Sequence, residues 1–461
     1  MADLFNSFIR GVKNKRVIVW GLGLNQGGLE AAKFFAKLGA DVTVVDMKSG
    51  EELSESLAEL EKYRNIRYIF GRQDQDIFAS AELIIKNPAI SWELPLVKKL
   101  LKNGKRIETD VTLFFRFFRG RIVGVTGSKG KTTTTTLIGK FLKAAGRNIL
   151  LGGNIRVSLF AYFTKRHLSD EKKIAVLELS SFQLEDLVFV KRSPDIAVVT
   201  NILRDHLNRY GSYTKYAAAK KNICLYQKKK DYLVLNAGDK RLKDFNKCSK
   251  AKILCFSAKA SSVIPAQAGI QASSNNQSNI TAAIAVARIF KVKKAVIEKV
   301  IKNFKGVPYR MEKIAVIKNI TFINDTTATI PDAAIAALES LDSHPRGDDN
   351  KKRKIILVGG GSDKNLRFSK FAKIIARKVK KIILLPGTAT PTIKKALAKH
   401  APLVTYEEAM SMDKAVKTAY KSASAGDVVL LSPGATSFGL FKNEFDRGDQ
   451  FNEAVKKLEM P

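Results

Sequence analysis

At 461 residues the chain exceeds one ordinary domain, and two to four compact domains are expected. Apolar residues make up 45% and charged residues 27%, without an apolar run near the roughly 20 residues of a membrane span, so a soluble protein is expected and a membrane protein excluded. Three cysteines and four histidines supply neither a CxxC pair nor a zinc-type cluster, so reduced structural thiols are expected. The formal charge of +37 attracts polyanions, but its lysines spread along the whole chain and no nucleic-acid motif accompanies them. The charge suits anionic nucleotide substrates, and specific nucleic-acid binding is not expected.

The N-terminal MADLFNSFIRGVKNKR lacks the apolar core of a secretory signal, and a cytoplasmic protein is expected. From Lys15, KRVIVWGLGLNQGG predicts a strand entering a glycine turn, followed by the helical LEAAKFFAKLG and a second strand, DVTVVD. This is a βαβ unit. Gln26 stands where the dinucleotide fingerprint has its last glycine, so a nucleotide-binding turn and a generic α/β turn both remain open. Asp46 ends the second strand, where a ribose-binding carboxylate would sit. A further strand precedes Asn87, and the change to RIVGVTG predicts a domain boundary near residue 109.

RIVGVTGSKGKTTTTTLIGKFL runs from strand through glycine loop to helix, the setting of a phosphate-binding loop. Backbone N–H groups around Gly127–Gly130 can surround phosphate oxygens, Lys131 can offset charge in phosphoryl transfer, and Thr132 can offer its hydroxyl to magnesium. Val125 replaces the first glycine of the strict spacing, making the loop a variant.

Beyond it, strand-like KIAVLELSS, DIAVVTNI and DYLVLNA alternate with amphipathic helices and predict a mostly parallel sheet. SSVIPAQAGIQASSNNQS (261–278) and the charged segment 343–354 read as exposed insertions. KIILVGGGSDK, KIILLPG and DVVLLSPG then repeat a strand-then-glycine theme.

GVTGSKGKTTTT, GGNI (152–155), ELSSFQLE (178–185), TNILRDHLNRYGSYTKYAAAK (200–220), GVPYRME (306–312), NDTTAT (324–329), GGGSDK (359–364) and LLSPGATSFGLFKNEFDRG (430–448) occur in the order seen in the Mur ligases, which the chain resembles over nearly its whole length, and most in the glutamate-adding branch. The resemblance implies an α/β protein of three domains: a Rossmann-like UDP-sugar domain (1–109), a central P-loop ATPase-like domain with a mostly parallel sheet (110–306), and a Rossmann-like amino-acid-binding domain (307–461).

It implies that ATP lies on Gly127, Ser128, Lys129, Gly130, Lys131, Thr132, Thr133, Asn279, Arg310 and Asp325. Magnesium, two ions in the family, would be held by Thr132, Glu178, His206 and Lys220, the lysine carbamylated into an oxygen ligand, and Lys131, Glu178, His206 and Lys220 would be catalytic. UDP-N-acetylmuramoyl-L-alanine and glutamate would be held by Leu24, Asn25, Asp46, Asn87, Asn154, Thr329, Lys364 and Ser437, and the protein would act as a monomer. On position alone Glu178 could equally be an ion-paired surface residue, His206 structural, and Lys220 a solvated helix lysine beside Lys221. Thr327 stands where relatives carry lysine and Glu444 where they carry an aromatic, so L-glutamate, another amino acid or a folylpolyglutamate-type substrate stays open. A nucleic-acid-binding ATPase is the reading of another class.

Overall fold

The computed structural model describes residues 2–22, 27–155, 157–257, 274–304, 306–341, 354–363, 366–437 and 439–459. Of these, residues within Met1–Ile202, Ala217–Ala260 and Asn279–Val300 form one compact unit, and those within Leu203–Tyr216, Ser261–Ser278 and Ile301–Pro461 form the other.

The first unit holds two sheets. β1 (Arg16–Trp20), β2 (Asp41–Asp46), β3 (Ile66–Phe70), β4 (Leu83–Lys86) and β5 (Ile107–Glu108) build one, in the order β3-β2-β1-β4-β5 and parallel throughout. The order reverses beside β1, so the loops leaving β1 and β4 flank a crevice at the carboxyl ends, where open α/β sheets take ligands.

β6 (Arg121–Thr126), β7 (Ile149–Gly153), β8 (Ile174–Glu178), β9 (Ile196–Val199), β10 (Tyr232–Asn236) and β11 (Lys252–Phe256) form the second sheet, ordered β11-β10-β9-β6-β8-β7 and also parallel throughout. β8 and β9 are buried along their full length and β6 beyond Arg121. This is what continuous apolar runs such as IAVLE and IAVV require, because strands covered on both faces leave no position for alternation.

Phenylalanine pairs fasten the two sheets' elements together. Phe5, Phe34, Phe35, Phe114, Phe160 and Phe163 meet at centroid separations from 4.8 to 6.4 Å, mixing edge and tilted contacts that suit the ring quadrupole. Each buried ring contributes about 2–3 kcal/mol of hydrophobic free energy. A polar joint lies nearby. Trp92 Nε1 and the Thr109 hydroxyl donate to the two oxygens of Asp186, at 2.8 and 2.9 Å, and Lys86 lies over the Trp92 ring. Thr109 also caps the helix Asp110–Phe117 in a reciprocal box with Thr112.

The second unit carries β12 (Glu312–Ile317), β13 (Ile320–Asn324), β14 (Ile355–Gly360), β15 (Val379–Leu385), β16 (Thr405–Glu408) and β17 (Val428–Leu431), ordered β12-β13-β17-β14-β15-β16. Only the β12–β13 hairpin is antiparallel. Leu357, Ile382, Leu384 and Leu430 face one apolar layer and Val358, Ile383, Val429 and Leu431 the other, so this sheet too is covered on both faces. Among the described residues no helix is long and apolar enough to cross a membrane.

One expectation changes. The polar end of the 261–278 segment is helical from Ser274, because the apolar periodicity of ITAAIAVARI carries the helix Ser274–Ile289 back into it. The rest of that segment, 261–273, and 343–353 of the second lie outside the described residues.

Candidate active site

In the first unit the site is built at the carboxyl ends of β6, β8 and β9. Gly127 and Gly130 have φ of 153° and 81°, and a Cβ on Gly127 would stand 1.9 Å from Thr200 Oγ1, one on Gly130 2.0 Å from Asn279 Oδ1. Only glycine fits this cradle. Two residues that follow β9 fix its shape: Thr200 Oγ1 donates to the Lys129 carbonyl at 2.5 Å, while Asn201 accepts from Ser128 N at its own carbonyl (3.0 Å) and from Lys129 N at Oδ1 (2.9 Å). The sequence reading gave neither a role. The signal available was a Thr-Asn pair at the end of the strand adjoining β6.

Lys131 opens the helix Lys131–Ala144, and its Nζ turns back to donate to the Gly127 and Ser128 carbonyls at 3.0 and 3.2 Å. One residue on, the Thr132 hydroxyl donates to Glu178 Oε2 at 2.6 Å. Glu178 is 1% exposed and takes a second bond at Oε1 from Asn154 Nδ2, 3.0 Å. It is therefore no surface glutamate, and among the described residues it has no lysine or arginine in ion-pair contact. A carboxylate and a hydroxyl side by side are the hard oxygen donors magnesium prefers, and the residues fit such an ion. Thr133 lies half-buried on the same helix turn.

Lys220 is 2% exposed, so the solvated-lysine reading does not hold. Its Nζ donates to Thr126 Oγ1 at 3.3 Å and the Gly127 carbonyl at 3.1 Å, against the base of the loop. Its neighbour points elsewhere, with Lys221 Nζ 5.9 Å from the centre of the Phe245 ring. The structure thus brings Lys131, Thr132, Glu178, Asn154, Lys220 and Asn279 around one glycine loop.

At the crevice of the first sheet, Asn87 Nδ2 donates to the Gly21 carbonyl and Asp46 Oδ1 accepts from Lys48 N. Leu24 and Asn25 lie outside the described residues.

In the second unit Arg310 is half-buried between Tyr309 and Met311, both in the left-handed region at φ 63° and 51°. Such strain at non-glycine residues persists only where the surroundings impose it. Here Asp325 imposes it, accepting from Met311 N at Oδ1 (3.2 Å) and from the Ser432 hydroxyl at Oδ2 (2.9 Å). Thr327 Oγ1 donates to the Tyr309 carbonyl at 3.1 Å. Arg447, fully buried, donates to both oxygens of Thr326 and to the Ala435 carbonyl. Burial pushes its pKa down to about 9. Ser437 is buried two residues past Ala435, Thr329 is half-buried, and Glu444 begins the last helix, its carbonyl accepting from Thr326 Oγ1. Lys364 lies outside the described residues. His206 belongs to this unit's Leu203–Tyr216 segment, with φ 51°, its N–H on Asp205 Oδ1 at 2.8 Å and its ring 6.1 Å from Tyr216.

Known proteins resemble the chain from end to end. Residues 15–109 match the Mur ligase MurD-like N-terminal domain, 125–302 the Mur ligase middle domain, and 309–434 the Mur ligase glutamate ligase domain. Proteins named UDP-N-acetylmuramoylalanine–D-glutamate ligase from Roseiflexus sp. (strain RS-1) and Borreliella afzelii (strain PKo) are each 36% identical, over 96% and 97% of this chain and 99% of theirs. The crystal structure of UDP-N-acetylmuramate-alanine ligase from Thermotoga maritima shares the fold, with a TM-score of 0.60 at 20% identity over 96% of this chain and 99% of that one.

Proposed function

Because the chain belongs to the Mur ligase family, we propose that it joins D-glutamate to UDP-N-acetylmuramoyl-L-alanine with cleavage of ATP, a step of peptidoglycan precursor synthesis. The observation that carries the reading is the pair of Thr132 and Glu178 at 2.6 Å beside the Lys131 loop, in a chain with full-length relatives that bear this activity's name.

In this reading residues 1–109 bind the UDP-sugar, with Leu24, Asn25, Asp46 and Asn87 on the nucleotide. Residues 110–306 carry ATP on Gly127 to Thr133 and Asn279, and within 307–461 Arg310 would take phosphate and Asp325 ribose. The loop N–H groups and Lys131 hold the γ-phosphate in line with the carboxylate of the alanyl group, which takes the phosphoryl group as the β,γ bond breaks and ADP leaves, and so becomes an acyl phosphate. Asn154 orients that substrate end. The neutral amine of glutamate, held by Thr329, Lys364 and Ser437, attacks the acyl carbon, and phosphate leaves as the amide forms.

Thr132, Glu178, His206 and a carbamylated Lys220 would hold magnesium, which when bound offsets charge on the transferring phosphoryl group. The Lys220 amine sits under the loop, where an added carboxylate would set oxygen near Thr126 and Gly127. A monomer working in the cytoplasm completes the reading.

Phosphate release from ATP tests it, with D-glutamate, L-glutamate or neither, with and without the UDP-sugar, and with Lys131→Ala. Release that requires the UDP-sugar and D-glutamate and is lost in the variant is expected. A preference for L-glutamate, for which Thr327 and Glu444 leave room, would move the chain within its family, and release without the UDP-sugar would overturn the reading.

A further inference from the structure

Cys224 lies one residue from the end of the helix Tyr213–Leu225, and Cys248 shortly after the turn Lys240–Phe245. Their sulfurs stand 2.9 Å apart, so about 0.9 Å of travel reaches a disulfide bond length. Each thiol also has a backbone carbonyl as partner, Lys221 O at 3.2 Å for Cys224 and Phe245 O at 3.1 Å for Cys248. Either sulfur can donate to the other, so the pair is held in contact by a thiol hydrogen bond as well as by packing. Cys224 is buried and Cys248 half-buried, so a small oxidant reaches Cys248 first.

We infer that Cys224 and Cys248 form a thiol-oxidation site that closes to a reversible intrachain disulfide and ties the end of the Lys220 helix to the Lys240–Phe245 turn. The oxidant is a low-molecular-weight disulfide. Cys248 thiolate attacks it, one thiol leaves, and a mixed disulfide forms. Cys224 thiolate then attacks the Cys248 sulfur and expels the second thiol, so the protein loses two protons and two electrons and the small disulfide gains them.

The environment favours this order. Contact with Cys224, then the charge of Lys221, holds the Cys248 thiol below its ordinary pKa. Cys224 is held above its own chiefly by Cys248 and then by burial, so converting Cys248 to the mixed disulfide removes the main obstacle to the second ionisation. In a reducing compartment such a pair responds to a change of redox state instead of standing permanently oxidised. Its consequence falls on the loop, because Lys220, one helical turn before Cys224, bonds Gly127.

The test equilibrates the full chain with oxidised glutathione and maps peptides without reduction. A Cys224–Cys248 linkage is expected in the unmutated chain and in Cys255→Ser. Cys224→Ser should instead retain a glutathionyl adduct on Cys248. Oxidation should slow amide exchange along Tyr213–Leu225, and dithiothreitol should restore it. Modification confined to exposed Cys255, a persisting adduct on Cys248 in the unmutated chain, or exchange unchanged by a formed linkage would each overturn the proposal.

Discussion

Thr132 donates to one oxygen of Glu178 while Asn154 donates to the other, so a single buried carboxylate joins the helix behind the phosphate loop to the turn after β7. Glu178→Gln keeps an oxygen for one donor and removes the charge. Turnover in the phosphate-release assay should fall at least ~100-fold, the scale for losing one preorganised electrostatic contact at a reacting group. The thermal midpoint should fall by only a few degrees, since one hydrogen bond is worth about 1 kcal/mol. A variant retaining a tenth of the activity would show that this carboxylate serves structure alone.

Gly130 and Gly146 separate two effects that glycine substitution usually mixes. Both have left-handed φ, 81° and 73°, but a Cβ at 146 meets nothing within 4 Å, whereas one at 130 displaces Asn279. Each alanine variant should lose about 1 kcal/mol to the backbone alone. Gly130→Ala should in addition raise the KM for ATP about tenfold or more, because Asn279 must turn from the loop. Equal nucleotide KM in the two variants would remove Asn279 from the ATP site.

The glycine loop was legible because its signal is local: strand, glycines, Lys-Thr and helix lie within a few turns of one another. The central strands of all three sheets were legible for the same reason, from runs such as VIVW, IAVLE and IILVGG, whereas the β12–β13 hairpin and the exposed TYEE of β16 were not read. Thr200 bonds Lys129 from 71 residues away, and Asp186 meets Trp92 and Thr109 across 94 and 77. No periodicity carries such pairings, since they depend on which strand lands beside which. At Glu178 the strand-end position left an even choice and at Lys220 position offered a solvated lysine, so family resemblance singled both out, and burial is what separates them from surface residues of the same type. Cys224 and Cys248, 24 positions apart, gave no hint of contact.

Asp186 and Asp110 predict a pH dependence. Burial is the main cause raising both, to about 6 for Asp186 and about 7 for Asp110. Lys86 and the Trp92 and Thr109 bonds oppose it at Asp186, and the charge of Asp186 adds to it at Asp110. In the unfolded chain both titrate near 3.9. Between about pH 4 and pH 7 the folded protein therefore binds more protons, and stability falls as pH rises through that window. Asp110→Asn retains an acceptor for Val111 N and deletes the higher titration, so its urea midpoint should decline less from about pH 5 to about pH 8. An unchanged decline would exclude Asp110 as its source.

Arg447 supplies the last prediction, because one buried guanidinium orders two loops at once. Its Nη2 and Nε hold Thr326, whose neighbours Asp325 and Thr327 fix the strained turn around Arg310, while Nη1 holds Ala435, two residues before Ser437. Lysine keeps the charge and cannot reproduce the planar fork, leaving at least one buried carbonyl unsatisfied. Arg447→Lys should lose about 2–3 kcal/mol in urea unfolding. If the guanidinium served stability alone, kinetics at a temperature where the variant is folded would be normal. Since it sets both loops, KM for glutamate and for ATP should each rise several-fold with kcat little changed, the pattern of misplaced binding groups. Normal KM values in a folded but destabilised variant would confine Arg447 to the core.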